Sequence, residues 1–298
     1  MTGEAYLERL GRRVAITGSV LCVGIDPDPA ELPKGFAPDA AGAAAFSRLI
    51  VEACAPVAAA FKANLAFFEA FGPPGLAALE TVRAAIPAEI PVILDAKRGD
   101  IGSTASRQAV ALIDVLGADA VTVSPYLGAD AVAPFVERGA FAYVLCRTSN
   151  PSAAEIQDLV VGASGELVQH EPLHHRVARL VSAWDAGRGV LGLVVGATAP
   201  TELAELRGVA PELPFLVPGA GAQGGSVEAA LDHGPASAAP ARDRPGGGLL
   251  VNVSRAIARA AKTSGDDPMG ALAKAAAGWG ARLRVLDSEP VSPRGSTA

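Results

Sequence analysis

The segment Asp95-Ala96-Lys97-Arg98-Gly99-Asp100 places two carboxylates and two cations within six residues. It follows Val92-Ile93-Leu94, an apolar run that reads as a strand. Extended backbone continued through Lys97 would put Asp95 and Lys97 on one face, within contact distance. Alone, such a pair reads equally well as a solvated ion pair at a strand end, worth little. Lys62, beside apolar Phe61 in a separate candidate strand, tips the balance toward chemistry. Two lysines and two carboxylates meeting at one place can stabilise developing charge and deliver a proton.

A second group reads as an anion site. Gly219-Ala220-Gly221-Ala222-Gln223-Gly224 follows a strand and fits the dinucleotide pattern G-x-G-x-x-G. Pro218 precedes the first glycine, however, and the stretch about twenty residues on is Pro-rich rather than a strand ending in an acid. The glycines fit better as backbone N–H groups around a single phosphate. Arg255, at the start of a helical run after a strand, would add a guanidinium to that site. His174-His175 suggests no metal, because neighbours on a helix point apart and no carboxylate completes a set; an exposed helix turn is expected there. His170 and His233 make no better case. Asp28 and Asp39 sit among prolines and read as turn residues, and Asp119 as a strand-entry residue facing away from the site.

These residues need elements to carry them. Apolar, β-branched runs lie at 20–25, 61–65, 92–94, 120–123, 142–145, 190–195, 215–217 and 249–253. Helical patterns lie between and after them, at 41–57, 75–86, 103–116, 129–138, 173–184, 201–207, 226–232, 256–261 and 268–285. Strands alternating with helices pair in parallel, in a barrel or in an open sheet. Nearly every strand run contains or precedes a reactive residue: Asp26, Lys62 with Asn64, Asp95 with Lys97, Ser124, Thr148 with Ser149, Gln223, and Ser254 with Arg255. Only a closed barrel gathers every strand end at one face, so an α/β fold of the (β/α)8 TIM-barrel type is expected, as one domain over residues 1–287. Residues 234–248, rich in Pro, Ala and Gly, read as a long flexible loop before the last strand, and 288–298 as a frayed tail.

Composition narrows the class. Half of the 298 residues are hydrophobic and 19% are charged, enough for a large core. A net charge of −6 argues against broad nucleic-acid binding, which needs a basic stripe. Cys22, Cys54 and Cys146 are far apart in apolar runs, which suggests buried thiols in a reducing compartment, without disulfide or zinc. With no signal-peptide pattern and no apolar run of about 18 residues, a cytoplasmic protein off the membrane is expected.

Several motifs in order carry a resemblance to the orotidine 5′-phosphate decarboxylase family, whose members make UMP from OMP. It runs from Val23-Gly24-Ile25-Asp26 to Asn252-Val253-Ser254-Arg255-Ala256-Ile257, with the Asp95, Lys97, Asp100 segment and Ile101-Gly102-Ser103-Thr104 as its hallmark. Phe61-Lys62-Ala63-Asn64, Arg147-Thr148-Ser149-Asn150-Pro151 and Pro218-Gly219-Ala220-Gly221-Ala222-Gln223-Gly224 look like the branch common in actinobacteria and related to some protozoan enzymes. The resemblance implies a homodimer that needs neither cofactor nor metal, with Lys62, Asp95, Lys97 and Asp100 as the charged network and Lys97 as proton donor. It implies that Asp100, Ile101 and Thr104 reach a neighbouring subunit's site, and that Asp26 and Asn64 hold ribose hydroxyls. Thr148 or Ser149 would touch the pyrimidine, Pro218 and Gln223 would line the phosphate loop, and Arg255 would pair with the phosphate. Two rivals remain: a magnesium-dependent sugar-phosphate decarboxylase or aldolase of the same suprafamily, and a catalytically idle nucleotide-binding barrel.

Overall fold

The computed structural model describes residues 5–162 and 170–286. The strands, in chain order, are β1 (Leu21–Ile25), β2 (Ala60–Asn64), β3 (Val92–Arg98), β4 (Ala120–Val123), β5 (Phe141–Arg147), β6 (Val160–Gly162), β7 (His170–Pro172), β8 (Leu191–Val195), β9 (Phe215–Pro218) and β10 (Leu250–Val253). Eight of them close a barrel in the order β1-β10-β9-β8-β5-β4-β3-β2, every pair parallel. Each barrel strand is an apolar run buried against helices outside and packed side chains inside. All eight strands expected from the sequence are present. The antiparallel pair β6-β7, inserted between β5 and β8, was not expected; each strand is only three residues long, too short to show an alternating pattern.

Helices form the outer layer, some broken where the sequence pattern runs on. The stretch expected as one helix at 103–116 is a helix over Gly102–Ala109 continued by a π-helical turn over Val110–Val115. The expected helix at 129–138 is a 3₁₀ turn, Ala129–Ala131, followed by Ala133–Glu137. Asp28 serves a turn, accepting from the Ala30 N–H at 3.0 Å, whereas Asp39 is a helix cap: it caps Ala40–Cys54, accepting from the Gly42 N–H at 2.8 Å. The three cysteines are buried and free. Among the described residues no helix is long and apolar enough to cross a membrane.

The N-terminal end of the barrel is sealed by two pieces. One is a helix the sequence reading missed, Tyr6–Thr17, whose Tyr6, Leu7, Leu10 and Val14 recur at helical spacing and are buried. Tyr6 stacks on Phe141 at the start of β5, and its hydroxyl meets that of Tyr143 at 3.2 Å. Arg9 clamps Asp119 in a two-pronged ion pair, which confirms Asp119 as a strand-entry residue remote from the strand C-termini.

The other piece is the 234–248 segment. It is a packed cap and lies at the opposite end from the strand C-termini, since it leads into β10, so the flexibility expected of it is corrected. The Ala236 N–H donates to Gly247 O, and Ser237 and Ala238 both donate to Pro211 O. Gly247, at φ 57°, has the Ala236 nitrogen 2.9 Å from where a Cβ would stand, so only glycine allows this approach. Proline and glycine here shape a tight path rather than a loose one. The expected tail, 288–298, lies outside the described residues.

Candidate active site

At the C-terminal ends of the strands a cavity of about 520 Å³ opens, a size suited to a nucleotide. Asp26, Lys62, Asn64, Asp95, Lys97, Thr148, Ser149, Pro218, Gln223 and Arg255 line it, all expected from the sequence. Asp100, Ile101 and Thr104 do not; they stand just outside, with Ile101 and Thr104 exposed. Thr122, Asn150, Gln157 and Asn252 also line it and were missed. Thr122 and Asn252 had one signal, a polar residue inside an otherwise apolar strand run.

The charged network centres on Asp95. Parallel pairing of β2 with β3 sets Asn64 opposite Asp95, and Lys62 reaches across from the same strand. Lys62 Nζ donates to Asp95 Oδ2 at 2.7 Å, and Lys97 Nζ to Oδ1 at 2.6 Å. Thr122 Oγ1 donates to the same Oδ1 at 2.9 Å. Burial alone would raise the Asp95 pKa, but the ammonium groups of Lys62 and Lys97 outweigh it and hold the carboxyl far below the usual range. Burial likewise disfavours the Lys62 cation, and the carboxylates of Asp95 and Asp26 overcome it, raising its pKa above that of an ordinary lysine.

Asp95 and Lys97 meet, though not by the simple pleat expected. The register between β3 and β4 shifts between Leu94 and Arg98, and Lys97 sits at φ 46°, in the left-handed region that a side-chain-bearing residue seldom adopts. The bulge turns the Lys97 side chain back to Asp95 and leaves it half exposed at the cavity. Thr122 braces the turn from β4, its Oγ1 accepting from the Lys97 N–H at 2.9 Å. Strain of this kind is held by the surroundings and concentrates at functional sites.

The remaining walls supply hydrogen-bonding groups. Asp26 Oδ1 and Asn252 Oδ1 are buried acceptors without a hydrogen-bond partner among the described residues. Asn64 Oδ1 accepts from the Ala66 N–H and so starts the helix Leu65–Glu69, which orients its amide. The Thr148 hydroxyl is engaged within the protein, donating to Asn150 Oδ1 at 2.6 Å and accepting from Gln157 Nε2 at 2.8 Å. Ser149 Oγ has no such bond among the described residues. At the far wall β9 ends at Pro218, and Gly219 turns at φ 94°. Gln223 Oε1 lies 2.7 Å from where a Gly219 Cβ would be, so a side chain there would push Gln223 away. The loop closes with Gly225 N–H donating to Gly219 O at 3.0 Å. Arg255 opens the short helix Arg255–Ala258, its guanidinium without a protein partner among the described residues.

The histidine pair corrects the sequence reading. His174 is buried, its ring is edge-on to that of His175 at 4.7 Å between centroids, and Glu205 from a neighbouring helix supplies a carboxylate.

A closed parallel barrel whose strand ends gather a lysine–carboxylate network beside an unpaired guanidinium and a glycine loop defines a (β/α)8 enzyme acting on a phosphorylated ligand. The profile of the orotidine 5′-phosphate decarboxylase / HUMPS family matches residues 19–266, and the chain belongs to that family. It is 49% identical over 257 residues to the orotidine 5′-phosphate decarboxylase of Thermomicrobium roseum, covering 85% of this chain and 86% of that one. The enzyme of the same name from Halorubrum lacusprofundi is 48% identical over 87% of this chain and 90% of its own length. The solved structure of Leishmania donovani OMP decarboxylase superposes with a TM-score of 0.76 at 39% identity, over 95% of this chain and 100% of that one.

Proposed function

We infer that the chain decarboxylates orotidine 5′-monophosphate to UMP, with Lys97 as the proton donor. The observation that carries this reading is the Asp95 carboxylate held between Lys62 and Lys97, with Lys97 turned to the cavity by a left-handed backbone. Cleavage of the bond between C6 and the carboxylate leaves its electron pair on C6 as a vinylic carbanion with no adjacent carbonyl to delocalise it. A fixed ammonium stabilises that charge in a preorganised site. The proton then passes from Lys97 Nζ to C6, and the amine is reprotonated from solvent.

The rest of the cavity suits the remainder of the substrate. Asp26 and Asn64 accept and donate to ribose hydroxyls, with the orphaned Asp26 Oδ1 as one acceptor. Ser149, whose hydroxyl is free where that of Thr148 is engaged, meets the pyrimidine. Pro218, Gln223 and Arg255 surround the phosphate, where binding energy far from C6 can be realised in the transition state. The curated relatives named above favour this substrate over the sugar phosphates of the wider family.

A homodimer completes the site. Asp100 accepts from the Ile101 N–H at 2.8 Å outside its own cavity. Ile101, Tyr126 and Leu127, 54%, 87% and 47% exposed, crowd the loops after the adjacent strands β3 and β4. Exposed apolar groups on the loops of adjacent strands suit a contact surface, and a second copy docked there would present Asp100, Ile101 and Thr104 to its partner's cavity.

The test is an ultraviolet absorbance trace of OMP with purified protein in EDTA. OMP is expected to be consumed at a rate EDTA does not change, Lys97→Ala to abolish turnover in a folded protein, and Arg255→Ala to raise KM far more than it lowers kcat. Loss of activity on chelation, or near-native turnover by Lys97→Ala, would sink the reading.

A further inference from the structure

Away from the nucleotide cavity, the helices Leu173–Asp185 and Pro200–Val209 bring His174, His175 and Glu205 together. One ring nitrogen of each histidine and one carboxylate oxygen of Glu205 lie within 4.8 Å of one another. His175 Nε2 is 3.3 Å from Glu205 Oε2. We propose that these three residues form a site for one divalent transition metal of the zinc class, with the fourth position left to water.

The protonation pattern supports it. His174 Nδ1 lies 2.8 Å from the Gln157 carbonyl oxygen, which can only accept, so Nδ1 carries the proton. The lone pair is therefore on Nε2, which is buried, in a residue 3% exposed, and has no hydrogen-bond partner. His175 Nε2 is likewise buried and without a hydrogen bond. A ligating imidazole commonly donates its other N–H to a backbone carbonyl, and His174 is held in that way before any metal arrives.

Charge and distance also fit. Bonds of about 2.0–2.1 Å to a tetrahedral zinc set ligand atoms roughly 3.3 Å apart, the separation His175 and Glu205 already have. Glu205 is half exposed, and its exposed side leaves room for water. Arg147 does not repel the ion strongly, since Asp158 at 3.0 Å and Glu202 at 3.6 Å neutralise it. Two imidazoles and one carboxylate make a donor set that favours zinc and cobalt over magnesium. The metal would tie the two helices together. A simple His175–Glu205 ion pair would leave the buried His174 Nε2 without a partner.

Untagged, full-length protein stripped with EDTA and dialysed is titrated with Co²⁺. One equivalent is expected to give the visible absorption of a four-coordinate nitrogen and oxygen site, which Zn²⁺ abolishes by displacement. His175→Ala and Glu205→Gln are each expected to weaken Co²⁺ binding at least about tenfold. Both should leave OMP turnover unchanged, because neither residue lines the cavity. No absorption at stoichiometric Co²⁺ overturns the proposal, and so does a band of equal affinity in both variants, which would put the metal on His170, His233 or elsewhere.

Discussion

At the scale of single residues, the site depends on one carboxylate serving three donors. Asp95 accepts from Lys62, Lys97 and Thr122, and Thr122 also holds the Lys97 backbone in its strained turn. Thr122 is therefore a positioning residue for the lysine. Thr122→Val keeps the shape and removes the hydroxyl, and kcat is expected to fall at least about tenfold, a loss of about 1.4 kcal/mol of transition-state stabilisation, with KM little changed. Thr122→Ser should restore most of the rate; equal kcat in the valine and serine variants would show that the hydroxyl does not position Lys97. The Lys62–Asp95 pair also bears on stability. The depressed Asp95 pKa contributes stability that is present above the unfolded carboxyl value and is lost as pH falls through the folded one. The raised Lys62 pKa contributes stability present below the unfolded lysine value and lost as pH rises through the folded one. Both contributions are therefore in full force from about pH 5 to 10. Asp95→Asn leaves a buried ammonium without its chief counter-charge, and a deficit of about 3–5 kcal/mol at pH 7 is expected in urea denaturation. That deficit should narrow as pH rises toward 10 and Lys62 sheds its proton in the folded variant. A deficit under about 1 kcal/mol, flat with pH, would contradict the picture of a paired, charged Lys62.

At the scale of elements, the barrel strands were legible because β-branched runs bounded by turns have few other uses, and the reactive residues at their ends pointed to closure. The bulge at Lys97 was not legible. A left-handed lysine has no sequence signature, and only the β4 threonine beside it in space accounts for it. The 234–248 cap was misread for a related reason: proline and glycine mark both loose loops and tight paths, and packing decides between them. Here the packing partner is a distant arginine. Arg207, on the helix Pro200–Val209, donates to the carbonyls of His233, Ala210, Pro211, Leu213 and Gly234 and lies 3.7 Å above the Phe215 ring. One planar guanidinium thus satisfies carbonyls at the start of the cap and in the segment 210–213 against which the cap packs. Arg207→Met keeps much of the volume and removes every donor. The loss is expected to be on the order of 3 kcal/mol, lowering Tm by roughly 6–12 °C. Turnover at 20 °C should be retained, because the cap lies at the far end of the barrel from the cavity. A Tm shift under about 2 °C would show that water replaces the arginine at no cost.

At the scale of the whole molecule, the segment 95–100 is divided between two destinations. Asp95 and Lys97 turn into their own cavity, whereas Asp100 leaves β3 after the bulge and stands outside it with Ile101 and Thr104. Within one chain, then, the network has three of its four members, and the fourth must come from elsewhere if it acts at all. The proposed homodimer would supply it, docking on the exposed apolar groups of the loops after β3 and β4, Ile101 on one and Tyr126 and Leu127 on the other. The consequence is a complementation pattern that a monomeric site cannot produce. A chain carrying Asp100→Ala has an intact Lys97 but offers its neighbour no carboxylate, and a chain carrying Lys97→Ala does the reverse. In a heterodimer of the two, one site holds both lesions and the other holds neither, so each heterodimer should regain one native site. Mixing the variants in equal amounts under exchange is expected to form half of the dimers as heterodimers, and total activity should rise to about a quarter of the wild-type value. Mass spectrometry of the mixture measures the heterodimer fraction independently. If heterodimers form and activity stays at the level of the unmixed variants, Asp100 serves its own subunit and the shared-site arrangement is wrong.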